Sequence, residues 1–282
     1  MKKFNRILLV LVLGYSCFSA AILIRILHDY SFFYPVNGHW KLVWEDDFNG
    51  PMLDQNKWSP VMQCVNPRQE QQVFLQENVS VRNGCLILAS KKEDWTGTDK
   101  LHPDQVVTRN YTSGEVGTWE KAVWKYGRFE IRAKLPAGQG VSSYVVLYPN
   151  DDTWPPEIHI MVMRGDQPDK IYFANYWGAD AKHQRSDNSG PVSVNDYMVN
   201  DFSAGFHTFT LEWSPRKLQW YIDDIPKYQV TRNIPDKPLC FVLGTAVGGV
   251  FCGDPYDPKF RGIPSSFPQY LIIDWVRVFQ RR

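Results

Sequence analysis

The segment from Trp154 to Asp166, WPPEIHIMVMRGD, combines residue types and a spacing that could carry out chemistry. Glu157 and His159 stand two positions apart, and alternate residues of a β-strand point to the same face. Three roles stay open for His159: a packed, hydrogen-bonded side chain, a partner that keeps Glu157 ionised, or a proton donor, since histidine titrates near neutral pH. The segment therefore predicts a reactive strand face with one carboxylate.

The elements that would position this segment are short strands. Alternating apolar and polar residues recur in NVSVRNGCLILAS, YGRFEIRAKLP, HTFTLEWSP and QYLIIDWVRVFQ, with turn residues between them. Long helical periodicity is absent after residue 38. Many short strands with regular turn signals predict an all-β fold, a two-sheet antiparallel β-sandwich or jelly roll, formed by one domain over residues 39–282. The concave face of such a sandwich suits a carbohydrate cleft.

Charge and aromatic content limit the classes of partner. The chain has 31 Lys and Arg against 30 Asp and Glu, a formal net charge of +1, so no nucleic-acid partner is expected. Aromatic residues make up 15% of the chain, including 11 Trp. Aromatic side chains favour the pleated surfaces of a β core, and their flat rings also stack on sugar rings. Both uses are expected, for different residues.

Residues 1–28 predict a segment that exports the rest of the chain. Three basic residues precede an uncharged run from Ile7 to Ile24, which would span roughly 27 Å as a helix. This length and the flanking charges favour an uncleaved membrane anchor with its N-terminus inside. A signal peptide cleaved near Ser19–Ala21 and, more weakly, a lipoprotein site at Cys17 stay open. We therefore expect an extracytoplasmic protein, anchored or secreted, with residues 29–38 as a linker.

Four cysteines follow this segment. An even number in an oxidising compartment permits two disulfides in three connectivities, whereas buried free thiols are the simpler alternative. Their spacing does not suggest zinc. The four are Cys64, Cys85, Cys240 and Cys252.

Several separated motifs occur in an order that is typical of one family. They are WEDDFNG followed by LDQNKW, then YTSGEVGT followed by YGRFEIRAKLPAGQG, and finally FHTFTLEWSPRKLQWYIDD and YLIIDWVRVFQ. From about Lys41 to Gln280 the chain resembles the laminarinase-type members of glycoside hydrolase family 16. The resemblance implies a concanavalin A-like jelly roll with a concave cleft. It also implies a β-glucan-type polysaccharide as partner.

The catalytic motif of that family is degenerate here. The family strand reads Glu-x-Asp-x-x-Glu, so the resemblance implies Glu157 as nucleophile, His159 in the middle position and Val162 in the acid/base position. A β-bulge would turn position 162 into the cleft, and an unbulged strand would present Met161 instead. Neither residue supplies the second carboxyl that must lie about 5–5.5 Å from the first in a retaining site. The general-acid contribution, typically ~10²–10⁴-fold, is therefore expected to be missing.

The resemblance also implies that the sugar-binding positions have changed. Ser142 and Val146 stand where the family often has tryptophans, and Asn175 stands where it often has a histidine. Aromatic residues around the catalytic strand remain, and they could stack on sugar rings. Four residues are our candidates for contacting substrate: Trp154, Asn175, Tyr176 and Trp177.

The resemblance implies no cofactor for hydrolysis, but it does suggest a structural metal ion. Asp47 and Asp274 align with positions where some family members hold calcium between the terminal strands. Calcium takes six to eight oxygen ligands, so backbone carbonyls and water would have to complete the site. A pair of surface acids is the alternative.

Three functions follow from these residues. The first is a pseudoenzyme, catalytically impaired, that binds a β-glucan-type polysaccharide. The second is an active retaining endo-β-glucanase or transglycosylase that uses Glu157 with an unconventional acid. The third is a structural or protein-interaction jelly roll. The missing carboxylate favours the first and third, and the surviving aromatics favour the first over the third.

Overall fold

The computed structural model describes residues 40–65, 69–151, 153–193, 201–259 and 262–281. The chain divides into two compact units, of which one comprises Leu42–Gln280 and the other Met1–Lys41 with Arg281–Arg282. The expected anchor or signal peptide at 1–28 and the linker at 29–38 lie outside the described residues. In the part of the chain that is described, no helix has the length and apolar character needed to cross a membrane.

Strands account for nearly all of the regular structure among the described residues. A short 3₁₀ helix covers Gln76–Asn78, and a single-turn helix, α1, covers Gly249–Cys252. The strands are β1 (Trp40–Asp46), β2 (Ser59–Pro60), β3 (Cys64–Val65), β4 (Gln72–Phe74), β5 (Val79–Arg82), β6 (Cys85–Asp99), β7 (His102–Ser113), β8 (Glu115–Gly117), β9 (Gly127–Lys134), β10 (Val141–Pro149), β11 (Glu157–Arg164), β12 (Lys170–Trp177), β13 (Arg185–Ser193), β14 (His207–Ser214), β15 (Lys217–Ile222), β16 (Ile225–Val230), β17 (Leu239–Val247) and β18 (Gln269–Arg281).

These strands form two sheets. The larger has the order β16-β15-β14-β9-β18-β6-β7-β4-β3, with β1 beside β18 and β5 beside β6. The smaller has the order β13-β12-β11-β10-β17-β8-β2. Antiparallel pairing joins the neighbouring strands of the smaller sheet and most of those in the larger sheet, whereas β4 and β7 pair in parallel. The two antiparallel-rich sheets confirm the predicted all-β sandwich.

Apolar side chains from both sheets form one large core. Leu211 and Ile273 of the larger sheet belong to it, as do Phe173 and Phe241 of the smaller sheet. Alternation along each strand directs these residues inward and the intervening ones outward. The largest fully buried side chains include Trp58, Trp213, Trp220, Phe129 and Phe202. Trp213 and Trp220 therefore serve the core.

Strand β11 contains a β-bulge. His159 lies opposite Val146 of β10 and Met161 lies opposite Val145, so Ile160 is the extra residue. The register against β12 also shifts between His159 and position 162. The bulge resolves a conflict in the sequence, because a run of consecutive apolar residues cannot alternate strictly between a wet face and a core.

The bulge directs residues on its two sides to different environments. Ile160 and Met161 both lie in the core between the sheets, with no exposed surface. Val162 belongs to a separate apolar cluster on the opposite face of the sheet, which we call the outer face. This arrangement confirms the bulged register and excludes the alternative that would have presented Met161. Trp220 stabilises the bulge from the core side, because its Nε1 donates a hydrogen bond to His159 O at 2.9 Å.

The four described cysteines are free thiols, and no disulfide joins them. Cys240 and Cys252 are buried, and Cys64 and Cys85 are half-buried. Burial raises the pKa of the Cys252 thiol to about 12, so that thiol stays protonated at neutral pH. Of the two alternatives left open by the sequence, the structure has the free thiols.

Paired substitutions test the register of β11. Met161→Glu places a carboxylate in the core, so it should lower the free energy of unfolding by about 3 kcal/mol or more. Val162→Glu directs the same side chain to the outer face, and it should be clearly less damaging. Urea unfolding followed by tryptophan fluorescence measures both values. Equal losses, or a larger loss at position 162, would mean that the bulge is placed wrongly.

Candidate functional site

Glu157 begins β11 and is held by two hydrogen-bond donors. Trp154 Nε1 donates to Glu157 Oε2 at 2.7 Å, and His159 Nε2 donates to Glu157 Oε1 at 2.8 Å. The residue is only 6% exposed. Two donors on one carboxylate fix its orientation. Glu157 and His159 therefore stand side by side on one face of the strand, as their spacing predicted.

Aromatic rings surround this carboxylate. Tyr176 of β12 lies opposite Glu157 in the strand register. The Tyr176 ring centroid is 5.0 Å from that of His159 and 6.0 Å from that of Trp154. The predicted candidates Trp154 and Tyr176 are thus brought together beside Glu157, where a sugar ring could contact them.

Val162 occupies an apolar environment. It lies opposite Tyr144 of β10 and Tyr172 of β12. With Val146 and Val242 it forms a small group that we call the valine cluster, whose members are each 6–7% exposed. Four partly buried aromatic residues pack against the valine cluster: Trp119, Tyr144, Tyr148 and Tyr172. The valine at position 162 therefore has apolar neighbours where the family places a carboxyl group.

Two other predicted substrate contacts, Asn175 and Trp177, lie on the other face of β12 from Tyr176. Asn175 lies opposite Ile158, whose side chain is in the core. It has no exposed surface, and its Nδ2 donates to Asn233 O at 3.0 Å. Trp177 follows Tyr176 and shares the side of Asn175, since alternate residues share a face. Its Nε1 donates to Asp187 Oδ2 at 3.0 Å.

The predicted calcium donors do not form a cage. Asp274 accepts a short hydrogen bond from Arg132 Nη1, which neutralises its charge. Asp47 accepts a hydrogen bond from Asn49 Nδ2 at 2.7 Å and is exposed. Among the described residues, no group of three or more His, Cys, Asp or Glu side chains could hold a metal ion. Asp47 and Asp274 thus each have a side-chain partner of their own, and a calcium ion completed by backbone carbonyls and water stays a prediction.

Glu115 is a second carboxyl group on the outer face, and the sequence analysis missed it. It lies opposite Gly244 of β17, which in turn lies opposite Tyr144 of β10. The Tyr144 hydroxyl donates a short hydrogen bond to Glu115 Oε2. Glu115 was overlooked because YTSGEVGT was interpreted only as a framework motif. Strand alternation, with Val116 in the core, is the signal that could have placed Glu115 outside.

The environment of Glu115 favours its neutral form. The pKa of Glu115 is raised to about 7, chiefly by burial and to a smaller extent by the charges of Glu70 and Glu157. The hydrogen bond from Tyr144 opposes these effects by lowering that pKa. Farther along β11, Arg164 is bonded by both Nε and Nη2 to Asp166, at 3.0 and 2.7 Å. The charge of the Arg164 guanidinium is therefore already paired with a carboxylate.

The two-sheet sandwich carries the carboxylate of Glu157 on the outer face of its smaller sheet. This combination is typical of glycosidases with a β-sandwich fold. The model of the family described as glycosyl hydrolases family 16 matches residues 66–249. This chain belongs to glycosyl hydrolase family 16.

Named relatives and a solved structure agree with that assignment. A beta-glucanase of Rhodothermus marinus is 32% identical over 267 residues, covering 86% of each protein. A glucan endo-1,3-beta-glucosidase of Cryptopygus antarcticus is 34% identical over 248 residues, covering 79% of this chain and 86% of that protein. The X-ray structure of an endo-beta-1,3-glucanase from Pyrococcus furiosus superposes with a TM-score of 0.74 at 26% identity, covering 88% of this chain and 98% of that one. This chain is similar to each of them.

The raised pKa of Glu115 predicts a pH-dependent stability. The folded state binds this proton more tightly than the unfolded state, so the stabilisation is complete below about pH 4.5 and is lost as pH rises through about 7. Glu115→Gln should remove this dependence, which we expect to be about 3 kcal/mol for a pKa raised from 4.5 to about 7. Urea unfolding between pH 4.5 and 8 measures it. As a control, Glu77→Gln, at an exposed position, should show the same dependence of the free energy of unfolding on pH as the parent protein. A Glu115→Gln profile parallel to the parent would contradict the raised pKa.

Proposed function

We propose that this chain is a catalytically impaired family 16 protein that binds a β-glucan-type polysaccharide outside the cytoplasm. The observation that carries the proposal is Val162, which lies in the valine cluster on the same face as an ordered Glu157. The family membership and the glucanase names of the relatives support the choice of polysaccharide. The charged run before Ile7 supports the export.

Glu157 retains what a nucleophile requires. Its carboxylate is fixed by Trp154 and His159, and fixed geometry is a large part of catalytic power. Attack on an anomeric carbon also requires the glycosidic oxygen to leave, and a sugar alkoxide is a poor leaving group without a proton. Val162 cannot donate one, so the step would lose about 10²–10⁴-fold from this position alone.

His159 and Glu115, two titratable groups on the outer face, are poorly placed for the role of a general acid at position 162. His159 lies two residues from Glu157 on the same strand and donates to it, so it stands on the nucleophile's side of the bond. Glu115 lies three strands from Val162, with Gly244 and Tyr144 between them in the register. At the usual strand spacing that is roughly 14 Å between backbones, whereas a retaining pair of carboxyls lies about 5–5.5 Å apart.

Binding is the function that the remaining groups support. Trp154 and Tyr176 lie in ring contact beside Glu157. Aromatic rings offer rigid contact area at low entropic cost, and a carboxylate accepts hydrogen bonds from sugar hydroxyls. A cleft that holds glucan without cleaving it would retain or present the polysaccharide at the cell surface.

A set of variants on two substrates tests this proposal. The parent protein should bind β-1,3-glucan in affinity electrophoresis yet release almost no reducing ends. An activated aryl β-glucoside needs little protonation to leave, so it should glycosylate Glu157 and stall, because no base activates water. Intact-mass spectrometry would show the adduct in the parent and not in Glu157→Gln. The double variant His159→Asp with Val162→Glu should raise glucan hydrolysis.

The same assays define the contrary result. Parent turnover on β-1,3-glucan in the ordinary enzymatic range of about 1–10³ s⁻¹, abolished by Glu157→Gln, would overturn the impaired assignment. If Glu115→Gln also abolished that turnover, Glu115 would be the unconventional acid. Absence of any glucan binding in a folded parent protein would instead favour a structural jelly roll.

A further inference from the structure

The valine cluster lies in a depression of the outer face. Val146, Val162 and Val242 have short side chains, whereas the aromatic residues packed against them are long, and strand side chains stand roughly perpendicular to the sheet. The valines therefore form the bottom of the depression and the aromatic rings form its sides. The small exposed fraction of each valine, 6–7%, matches contact with a methyl-sized group better than contact with a whole sugar ring.

Two of the aromatic rings that surround the valine cluster lie over glycines. The Tyr144 ring lies over Gly244, where an added Cβ would collide with its hydroxyl group. That position directs the ring toward Glu115, with which it is hydrogen-bonded, and away from Val162. Trp119 covers Gly117 in the same way. Both rings thus lie over glycines at the edge of the valine cluster and pack against it from the side.

The opposite side of the depression is also fixed by packing. Tyr172 lies opposite Val162, and its ring meets Phe251 edge-on at 5.3 Å. The Tyr172 hydroxyl donates to Gln167 Oε1 at 2.7 Å, and the Tyr144 hydroxyl donates to Glu115. These polar ends are directed outward along the sides, so the bottom itself presents only methyl groups.

The chemistry of the bottom selects what can occupy it. A sugar hydroxyl placed against three valines loses its hydrogen bonds to water and finds no replacement. A methyl group in the same place loses none and buries apolar surface. We infer that the valine cluster is a subsite for a methyl-bearing substituent of the polysaccharide, an O-acetyl or O-methyl group beside the sugar unit at Glu157.

This inference rests on the proposed glycan-binding function, and it names the class of glycan. Unsubstituted β-glucan is the weaker ligand, and its partly acetylated or methylated form is the stronger. A substituent lying over Val162 also occupies the place from which a proton donor would act. Recognition of the substituent and loss of hydrolysis therefore follow from the same residue.

Matched ligands test the inference. One β-1,3-glucan preparation is partly O-acetylated, a second portion is partly O-methylated, and a third is left unmodified. Dissociation constants from isothermal titration should be about tenfold lower for a substituted form than for the unmodified glucan. The acetylated and methylated samples distinguish which substituent the depression takes.

Isosteric variants assign the preference to the cluster. Val162→Thr and Val242→Thr keep the shape of the side chain but replace one methyl group by a hydroxyl. Each should therefore bring the ratio of the dissociation constants for unmodified and substituted glucan close to one. Val106→Thr is the control, because Val106 is 72% exposed on β7 and belongs to neither apolar cluster. It should keep the parent ratio, and thermal melts establish that each variant is folded.

Failure of the methyl-group subsite and failure of the proposed glucan binding give different results in these titrations. Equal affinity of the parent protein for all three glucans overturns the subsite while leaving glucan binding intact. A preference that survives both threonine variants overturns the assignment to the valine cluster. Binding of none of the three glucans by folded protein overturns the proposed function as well.

Discussion

The one extra residue in β11 determines which side chains reach the outer face. Without it, Ile160 and Met161 would fall on opposite faces, and one of them would leave the core. With it, both remain buried, and position 162 turns outward to the side of Glu157. Burial of each apolar side chain contributes about 1.5–3 kcal/mol, so the core itself enforces the bulge. The hydrogen bond from Trp220 to His159 O stabilises the same geometry.

Because of this constraint, the inward and outward residues of β11 have different requirements. The inward residues of β11 pack in the main core, whereas an outward residue such as Val162 packs in a small separate cluster. The identity of the residue at position 162 is therefore not set by the main core. Glu157 accepts hydrogen bonds from Trp154 and His159 on the same outer face.

The sequence predicted the sandwich because strand alternation is a local signal, whereas it left the bulged and unbulged registers of β11 open. The sequence did not indicate which face of β12 Asn175 and Trp177 occupy, because Asn175 was chosen from the resemblance to the family and Trp177 as an aromatic residue near the catalytic strand. It missed Glu115 because the relevance of that residue depends on Tyr144, a non-neighbour that reaches it across Gly244. Contacts across several strands depend on the register of the whole sheet, which no short motif contains.

Saturation-transfer NMR on one sample of protein with a soluble β-1,3-gluco-oligosaccharide tests binding without cleavage most directly. The same spectra report transfer from protein to sugar protons and the anomeric signals of any new reducing ends. The account predicts clear transfer, reduced by Glu157→Gln, while the anomeric signals stay constant over days. Growth of new reducing-end signals at an enzymatic rate, or an absence of transfer to any sugar proton, would contradict it.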